Sequence, residues 1–87
     1  MPSERNADWF VYIVECSDNT LYTGVATDLD ARLAEHNAGR GAKYTRTRLP
    51  VALVHCEPAK DKSAALSREH AIKRMRAADK RSLIRGS

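Results

Sequence analysis

The chain has 87 residues, of which 43% are hydrophobic and 30% are charged, so it is long enough for one small domain with one modest core. No apolar run approaches the roughly 18 residues that a membrane-spanning helix needs, and the start of the chain has no apolar stretch typical of a signal peptide. A cytoplasmic protein with no membrane partner is therefore expected, in which Cys16 and Cys56 are reduced thiols that face the core.

The formal net charge of +4 is unevenly distributed along the chain. Residues 1–59 carry six lysines and arginines against eight acids, whereas residues 60–87 carry nine against three. A second basic stretch, residues 39–48, contains no acid. Such clusters suit a phosphate backbone, because binding releases its counterions. Charge alone fits a solvated basic surface equally well, so both interpretations stay open.

Two short apolar segments near the start predict a β-hairpin. Residues 9–14 are rich in β-branched and aromatic side chains, which is typical of a buried strand. Residues 21–25 return as a second strand after turn-forming residues at 17–19. Tyr12 and Tyr22 then lie on paired strands and can approach a common point.

A helix and a loop are predicted after the hairpin. Thr27 is the expected N-cap, and acidic residues in the first turn favour the positive end of the helix. The helix runs to about Ala38, and Gly39 is the expected stop. Residues 39–50 then form a loop rich in glycine and arginine.

The remaining segments complete an α+β domain. Residues 51–56 predict a third strand, Ser63 caps a second helix to about Arg76, and residues 79–84 form a short third helix. The order ββαβαα implies a small three-stranded sheet flanked by helices. Residues 9–85 would form this domain, after a flexible N-terminal segment at residues 1–8.

Glu69 stands out on the predicted second helix, because it lies on the inner face with Ala65 and Ile72. A buried carboxylate without a partner is costly, so it needs a cation, a hydrogen-bond network or a water-filled cleft. The alternative is an ion pair with Lys73 at the favourable i,i+4 spacing. Helical-wheel geometry alone favours the ion pair.

Arg32 and His36 lie one turn apart and border the apolar stripe of the first helix. An arginine that leans towards the sheet can place its planar guanidinium on a phosphate. Taken alone, the pattern is better explained by an arginine that covers the core edge beside a partly buried histidine. The three tyrosines, Tyr12, Tyr22 and Tyr44, are likewise explained singly by packing.

Taken together, these residues resemble the GIY-YIG nuclease family. Residues 11–13, Val-Tyr-Ile, stand where that family has GIY, and residues 22–24, Tyr-Thr-Gly, match its YIG. The two tyrosines are ten positions apart, within the usual spacing of the family. The valine and the threonine depart from the motif but leave its polar side chains intact.

The order of the remaining residues extends this resemblance over nearly the whole chain. Arg32 follows the motif, then His36 and later Glu69, which is the catalytic order of the family. Residues 39–45 also look like the short, stand-alone bacterial members. Many larger members carry a late asparagine, and residues 38–87 contain none.

The resemblance implies a metal-dependent nuclease that hydrolyses DNA phosphodiester bonds. Glu69 would anchor one Mg²⁺ or Mn²⁺, with water and a phosphate oxygen as the other ligands, and Arg32 would neutralise charge on the phosphate. One hairpin tyrosine would be the general base, and cationic surroundings must lower its pKa from about 10. His36 would hold a tyrosine hydroxyl or assist the leaving group. The implied catalytic residues are Tyr12, Tyr22, Arg32, His36, Tyr44 and Glu69.

The basic side chains would follow the DNA backbone and add affinity without sequence selection. Since no separate recognition domain is attached, we expect selection of branched or single-stranded DNA by its structure, in repair or recombination. The residues assigned to this contact are Arg40, Lys43, Arg46, Arg48, Lys73, Arg74 and Arg76.

Three other functions fit parts of the sequence. A catalytically weak DNA-binding module of the same fold, which needs a partner protein, would have no use for Glu69 among cations. An RNA-binding or RNA-cleaving protein would have the same charge pattern. A protein-interaction domain with an acidic partner would show no salt-dependent affinity for nucleic acid.

Overall fold

Residues 8–86, which the computed structural model describes, form three strands and four helices. The strands are β1 (Trp9–Glu15), β2 (Leu21–Ala26) and β3 (Ala52–Ala59). The helices are α1 (Leu29–Asn37), α2 (Lys43–Arg46), α3 (Lys62–Lys73) and α4 (Ala77–Gly86). The predicted α+β class is confirmed. Apart from Asp8, the predicted flexible segment at residues 1–8 lies outside the described residues. Within residues 8–86, no helix is long and apolar enough to span a membrane.

The sheet has the order β2-β1-β3 and is antiparallel throughout, so β1 is the central strand. The register places Tyr12 opposite Gly24 and Val14 opposite Tyr22. Since side chains alternate between the two faces of a sheet, Tyr12 and Tyr22 lie on the same face. We call this face, which α1 covers, the tyrosine face.

Each face of the sheet has its own hydrophobic core. On the tyrosine face, buried Tyr12 and Val14 pack with Leu29 and Leu33 of α1. The opposite face is covered by α3 and α4, and its core consists of Val11, Ile13, Ala65, Ile72 and the partly buried side chains around them. The functional residues of α1 and β1 are therefore fixed by a packed layer.

The two longer helices begin at aspartates rather than at the predicted caps. Asp28, not Thr27, caps α1 by accepting a hydrogen bond at 3.0 Å from the backbone three residues later. Asp61, not Ser63, caps α3 in the same way at 2.8 Å. Aspartate caps a helix as well as serine or threonine does, so the sequence offered competing caps.

Other boundaries differ by a few residues. The second long helix ends at Lys73 rather than Arg76, the last helix continues to Gly86, and the loop at 39–50 contains α2. Gly39, with φ of +81°, ends α1 as predicted. Cys16 is buried as expected, but the prediction for Cys56 is wrong, because this side chain is exposed on edge strand β3.

A charged cluster joins β3 to α3 on the face opposite the tyrosines. Arg68 holds the Glu57 carboxylate with two hydrogen bonds, of 2.8 and 2.9 Å, and His55 Nε2 lies 2.8 Å from the same group. The hydrogen bonds from Arg68, and then that of His55, lower the pKa of Glu57 from 4.5 to about 2. The cluster thus links the edge strand to the helix that carries Glu69.

Replacing Glu57 with glutamine is expected to lower the free energy of unfolding by about 2–3 kcal/mol at pH 7. The pKa of Glu57 is lower in the folded protein, so between pH 4.5 and about 2 the unfolded chain binds more protons than the folded protein does. The free energy of unfolding of the wild type therefore decreases as the pH drops through that range. Urea unfolding followed by circular dichroism at several pH values measures both effects. Asp79→Asn, which removes a carboxylate 3.9 Å from exposed Arg76, is the control. Equal losses in the two variants would contradict the prediction.

Candidate active site

The Tyr12 hydroxyl is the centre of the candidate site. The side chain is only 2% exposed, and its hydroxyl lies 2.8 Å from Nε2 of fully buried His36. Arg32 donates a hydrogen bond from Nε to the same hydroxyl at 3.3 Å. This arrangement follows from the packing of α1 on the tyrosine face, which directs two side chains one turn apart at a single strand residue.

Burial determines the protonation of this pair. Burial raises the pKa of Tyr12, although the hydrogen bond and charge of Arg32 oppose it. Burial, followed by the charge of Arg32, lowers the pKa of His36. The predicted lowering by cationic surroundings is therefore wrong for Tyr12, because the desolvation of the phenolate outweighs a single guanidinium. At neutral pH the pair is a phenol and a neutral imidazole.

Tyr22 and Tyr44 form an aromatic layer beside His36. The Tyr22 ring meets the His36 ring edge-on, with 5.6 Å between centroids, and stacks on Tyr44 at 6.0 Å. Cations flank this layer, because the Arg48 guanidinium lies 4.0 Å from the Tyr44 ring centroid and the Lys73 ammonium lies 5.7 Å from that of Tyr22. The three tyrosines and the histidine thus share one site.

Glu69 reaches this site from α3. Its side chain is 18% exposed, and its carboxylate forms an ion pair of 3.3 Å with Lys73. The negative charge of Glu69 contributes to the raised pKa of Tyr12, so the carboxylate acts on the centre of the site. The predicted ion pair with Lys73 is confirmed, and a role of Glu69 in holding a cation stays a prediction.

The basic residues assigned to DNA differ in how freely their charges can act. Arg48 is engaged within the protein, because Nε donates to Asp18 at 3.0 Å and Nη1 donates to the Tyr44 carbonyl at 2.8 Å. Arg76 is 90% exposed and 3.9 Å from Asp79. The exposed members are Arg40, Lys43, Arg46, Lys73, Arg74 and Arg76.

Thr45 is a member of the site that the sequence did not reveal. Its hydroxyl lies 2.9 Å from Nδ1 of His36, and the residue is fully buried. The α2 turn that carries it was predicted as part of a loop. A single threonine between Tyr44 and Arg46 carries no periodic signal of burial, so only the fold shows that it faces inward.

Comparison with known proteins identifies the family. The sequence model of the family described as the GIY-YIG catalytic domain matches residues 8–82. The chain belongs to the GIY-YIG family. A UPF0213 protein of Natronomonas pharaonis is 55% identical to it over 78 residues, which are 90% of this chain and 92% of the relative.

Two solved structures resemble this GIY-YIG domain. One is a UPF0213 protein of Bacillus halodurans, with 41% identity and a TM-score of 0.57 over 87% of this chain and 81% of the other. The other is a protein of E. faecalis, with 33% identity and a TM-score of 0.61 over 99% of this chain and 90% of the other. The three-stranded fold is thus shared with experimentally determined structures.

The GIY-YIG nucleases generally use divalent metal ions, and the carboxylate of Glu69 is a type of ligand that such ions accept. Among residues 8–86, no group of three or more His, Cys, Asp and Glu side chains is arranged to hold a metal ion. A single carboxylate suits Mg²⁺ or Mn²⁺, which keep several water ligands and bind substrate phosphates. It does not suit structural zinc, which needs four protein ligands.

The glycine of the YIG motif has a steric role at this site. A Cβ atom added to Gly24 would lie 2.5 Å from the hydroxyl oxygen and 2.7 Å from the adjacent ring carbon of Tyr12. Such distances are well inside van der Waals contact. Only glycine therefore lets the Tyr12 ring lie flat over β2 and reach His36.

Replacing Gly24 with alanine is expected to destabilise the domain by about 1–3 kcal/mol, because the ring of a buried tyrosine must move. The displaced hydroxyl would also lose its hydrogen bond to His36. Thermal unfolding by circular dichroism measures the loss. In Gly86→Ala, the control, the added methyl group meets no described atom within 4 Å. An unchanged melting temperature in the Gly24 variant would show that the ring adapts freely.

Proposed function

We propose that this GIY-YIG domain is a metal-dependent nuclease that hydrolyses DNA phosphodiester bonds and selects DNA by structure rather than by sequence. The observation that supports this most strongly is the hydrogen-bonded pair of Tyr12 and His36, at 2.8 Å, beside Arg32 and under the charge of Glu69. Such a pair can move a proton, the positive charge of Arg32 contacts it, and the negative charge of Glu69 acts on it.

Tyr12 is the proposed general base, acting together with His36. As water attacks phosphorus, the Tyr12 hydroxyl passes its proton to Nε2 of His36 and receives one proton from the attacking water. The water oxygen forms a bond to phosphorus, the bond to the leaving sugar oxygen breaks, and solvent protonates that oxygen. The raised pKa of Tyr12 disfavours a resting phenolate, so the neutral imidazole is the final acceptor.

Arg32 and Glu69 would act on the phosphate from two sides. The Arg32 guanidinium donates to Tyr12 and pairs with Glu35 at 3.1 Å, and it would neutralise charge on a phosphate oxygen. Glu69 would hold the divalent cation, which when bound supplies positive charge to the reacting phosphate. Lys73, which pairs with Glu69 at 3.3 Å, would be released to the DNA backbone when Glu69 holds the cation.

The distribution of exposed cations supports a backbone contact without base selection. The exposed basic residues of the 39–48 stretch and around the end of α3 form two groups of positive charge that can follow a phosphate backbone. A substrate chosen by structure, such as a flap, a fork or a single strand, is consistent with this, and DNA repair or recombination is the role proposed for such an activity.

A gel assay of the purified protein on labelled flap, fork, duplex and single-stranded DNA tests this function. The reactions contain Mg²⁺, Mn²⁺ or EDTA, and a matched RNA strand runs alongside. We expect cleavage with metal, none with EDTA, and several cut positions unrelated in sequence. A single strict sequence motif would contradict structural selection, and preferential cleavage of RNA would replace DNA as the substrate.

Salt-dependent binding without cleavage under any of these conditions would favour the alternative, a DNA-binding module that requires a partner protein. Titration of the protein with DNA at increasing salt concentration distinguishes a nucleic-acid partner from an acidic protein partner, because phosphate contacts lose affinity steeply with salt. No salt-dependent binding at all would favour an interaction domain for an acidic protein.

A further inference from the structure

Thr45 is buried at the end of a chain of hydrogen bonds that starts at Arg32. Its hydroxyl donates to the backbone carbonyl of Ala42 at 2.9 Å and lies 2.9 Å from Nδ1 of His36. A hydroxyl has one proton, so a hydroxyl that donates to Ala42 can only accept from His36. The hydrogen atom between Thr45 and His36 therefore belongs to Nδ1.

This assignment determines the direction of every other bond in the chain. A neutral imidazole with a hydrogen atom on Nδ1 has a lone pair on Nε2. Tyr12, 2.8 Å away, must then donate its hydroxyl proton to Nε2, and it accepts from Nε of Arg32. Each bond points from Arg32 towards Ala42, and the Tyr12 proton already faces its acceptor.

We propose that Thr45 is a positioning residue that fixes the Nδ1–H tautomer of His36 and thereby orients the Tyr12 proton for transfer, an inference that rests on the proposed nuclease function. The surrounding structure supports a fixed ring, since His36 and Thr45 are both fully buried. Gly41 contacts the same edge of the ring, and a side chain there would collide with Nδ1. Thr45 is fully buried, and its hydroxyl contacts His36 and the Ala42 carbonyl, so its effect on the reaction would be transmitted through His36.

Without the Thr45 hydroxyl, Nδ1 would lose its acceptor, and the Nε2–H tautomer would become available. In that tautomer Nε2 is a donor, so it cannot accept the Tyr12 proton. Thr45→Val keeps the shape of the side chain and removes the hydroxyl, whereas Thr45→Ser keeps the hydroxyl and removes one methyl group. The two variants thus separate hydrogen bonding from packing.

Nuclear magnetic resonance of protein with ¹⁵N-labelled histidine tests the tautomer directly. Long-range correlations between ring protons and nitrogens distinguish a protonated from an unprotonated Nδ1. We expect Nδ1–H in the wild type and in Thr45→Ser, and a shift towards Nε2–H in Thr45→Val. An Nε2–H tautomer in the wild type, or an unchanged tautomer in Thr45→Val, would overturn the inference without any need for an activity assay.

Cleavage kinetics form the second part of the test. We expect kcat of Thr45→Val to fall about 10- to 100-fold, as for other residues that orient a functional side chain, with KM unchanged and Thr45→Ser close to wild type. A loss in KM alone would contradict a positioning role. The wild type and the variants could all fail to cut nucleic acid while their tautomers are as expected. That result would contradict the proposed nuclease function but would leave the role of Thr45 in fixing the tautomer supported.

Discussion

Replacing Glu69 with glutamine is expected to lower metal-dependent cleavage by at least roughly 10²- to 10³-fold, the range for losing one strong electrostatic contribution to a transition state. The amide keeps the size of the side chain but removes the charge that holds a hard divalent cation. The charge of Glu69 acts on the Tyr12 hydroxyl, whereas the nearby Glu35 is paired with Arg32 at 3.1 Å, so we expect that Glu35 does not replace it. Cleavage of flap DNA, together with calorimetric titration of Mg²⁺ or Mn²⁺, measures the rate and the metal affinity separately.

Lys73→Met is the matched control for this variant. Glu69→Gln breaks the ion pair of 3.3 Å with Lys73 as well as the proposed metal site, whereas Lys73→Met breaks the ion pair and the contact of Lys73 with the Tyr22 ring but leaves the Glu69 carboxylate. The Lys73 end of the pair is half-exposed, and ion pairs open to solvent contribute little, about 0–1 kcal/mol. We therefore expect Lys73→Met to bind metal at least as tightly as the wild type and to bind DNA more weakly. Equal losses of metal binding in both variants would show that the ion pair, rather than metal coordination, explains the role of Glu69.

Replacing Tyr12 with phenylalanine is expected to lower kcat by roughly 10²- to 10⁴-fold, the usual contribution of a general base. The variant also leaves Nε2 of buried His36 without its partner, which should cost about 1–3 kcal/mol of stability. Single-turnover cleavage measures the first effect, and urea unfolding measures the second. Both are needed, because a partly unfolded variant would also cut slowly.

Tyr22→Phe tests whether Tyr12 is the correct tyrosine. Each substitution removes one hydroxyl from the same site, but only that of Tyr12 is hydrogen-bonded to His36 in the described structure. Tyr22 contacts the same histidine through its ring, which phenylalanine retains. A larger loss in Tyr22→Phe than in Tyr12→Phe, at equal stability, would reverse the assignment of the general base.

Most of the fold could be predicted from the sequence because its elements have strong local signals. The apolar segment at 9–14 and the glycine after α1 determine a strand and a helix end almost by themselves. The sequence does not determine which residue caps α1, because Thr27 and Asp28 are adjacent and either side chain can accept the capping hydrogen bond. The α2 turn has four residues, which is too short for a periodic pattern.

The sequence predicted which residues belong to the candidate site, but it could not predict how these residues interact. The order of the tyrosines, Arg32, His36 and Glu69 gave the candidate set through resemblance, and the fold brings these side chains together. Their protonation could not be predicted, because it depends on burial, which only the packed structure supplies. Thr45 was missed for a similar reason, since its role depends on a contact nine positions away.

The central position of β1 has a consequence for how the site comes apart. β1 is paired on both sides, so Tyr12 can be released only when two ladders break, which amounts to global unfolding. Glu69 belongs to α3, whose Ala65 and Ile72 are fully buried in the core of the opposite face and whose Arg68 is hydrogen-bonded to Glu57 of β3. Detaching α3 would therefore open one of the two cores. Both halves of the site thus depend on the cooperative stability of the whole domain rather than on a separately mobile element.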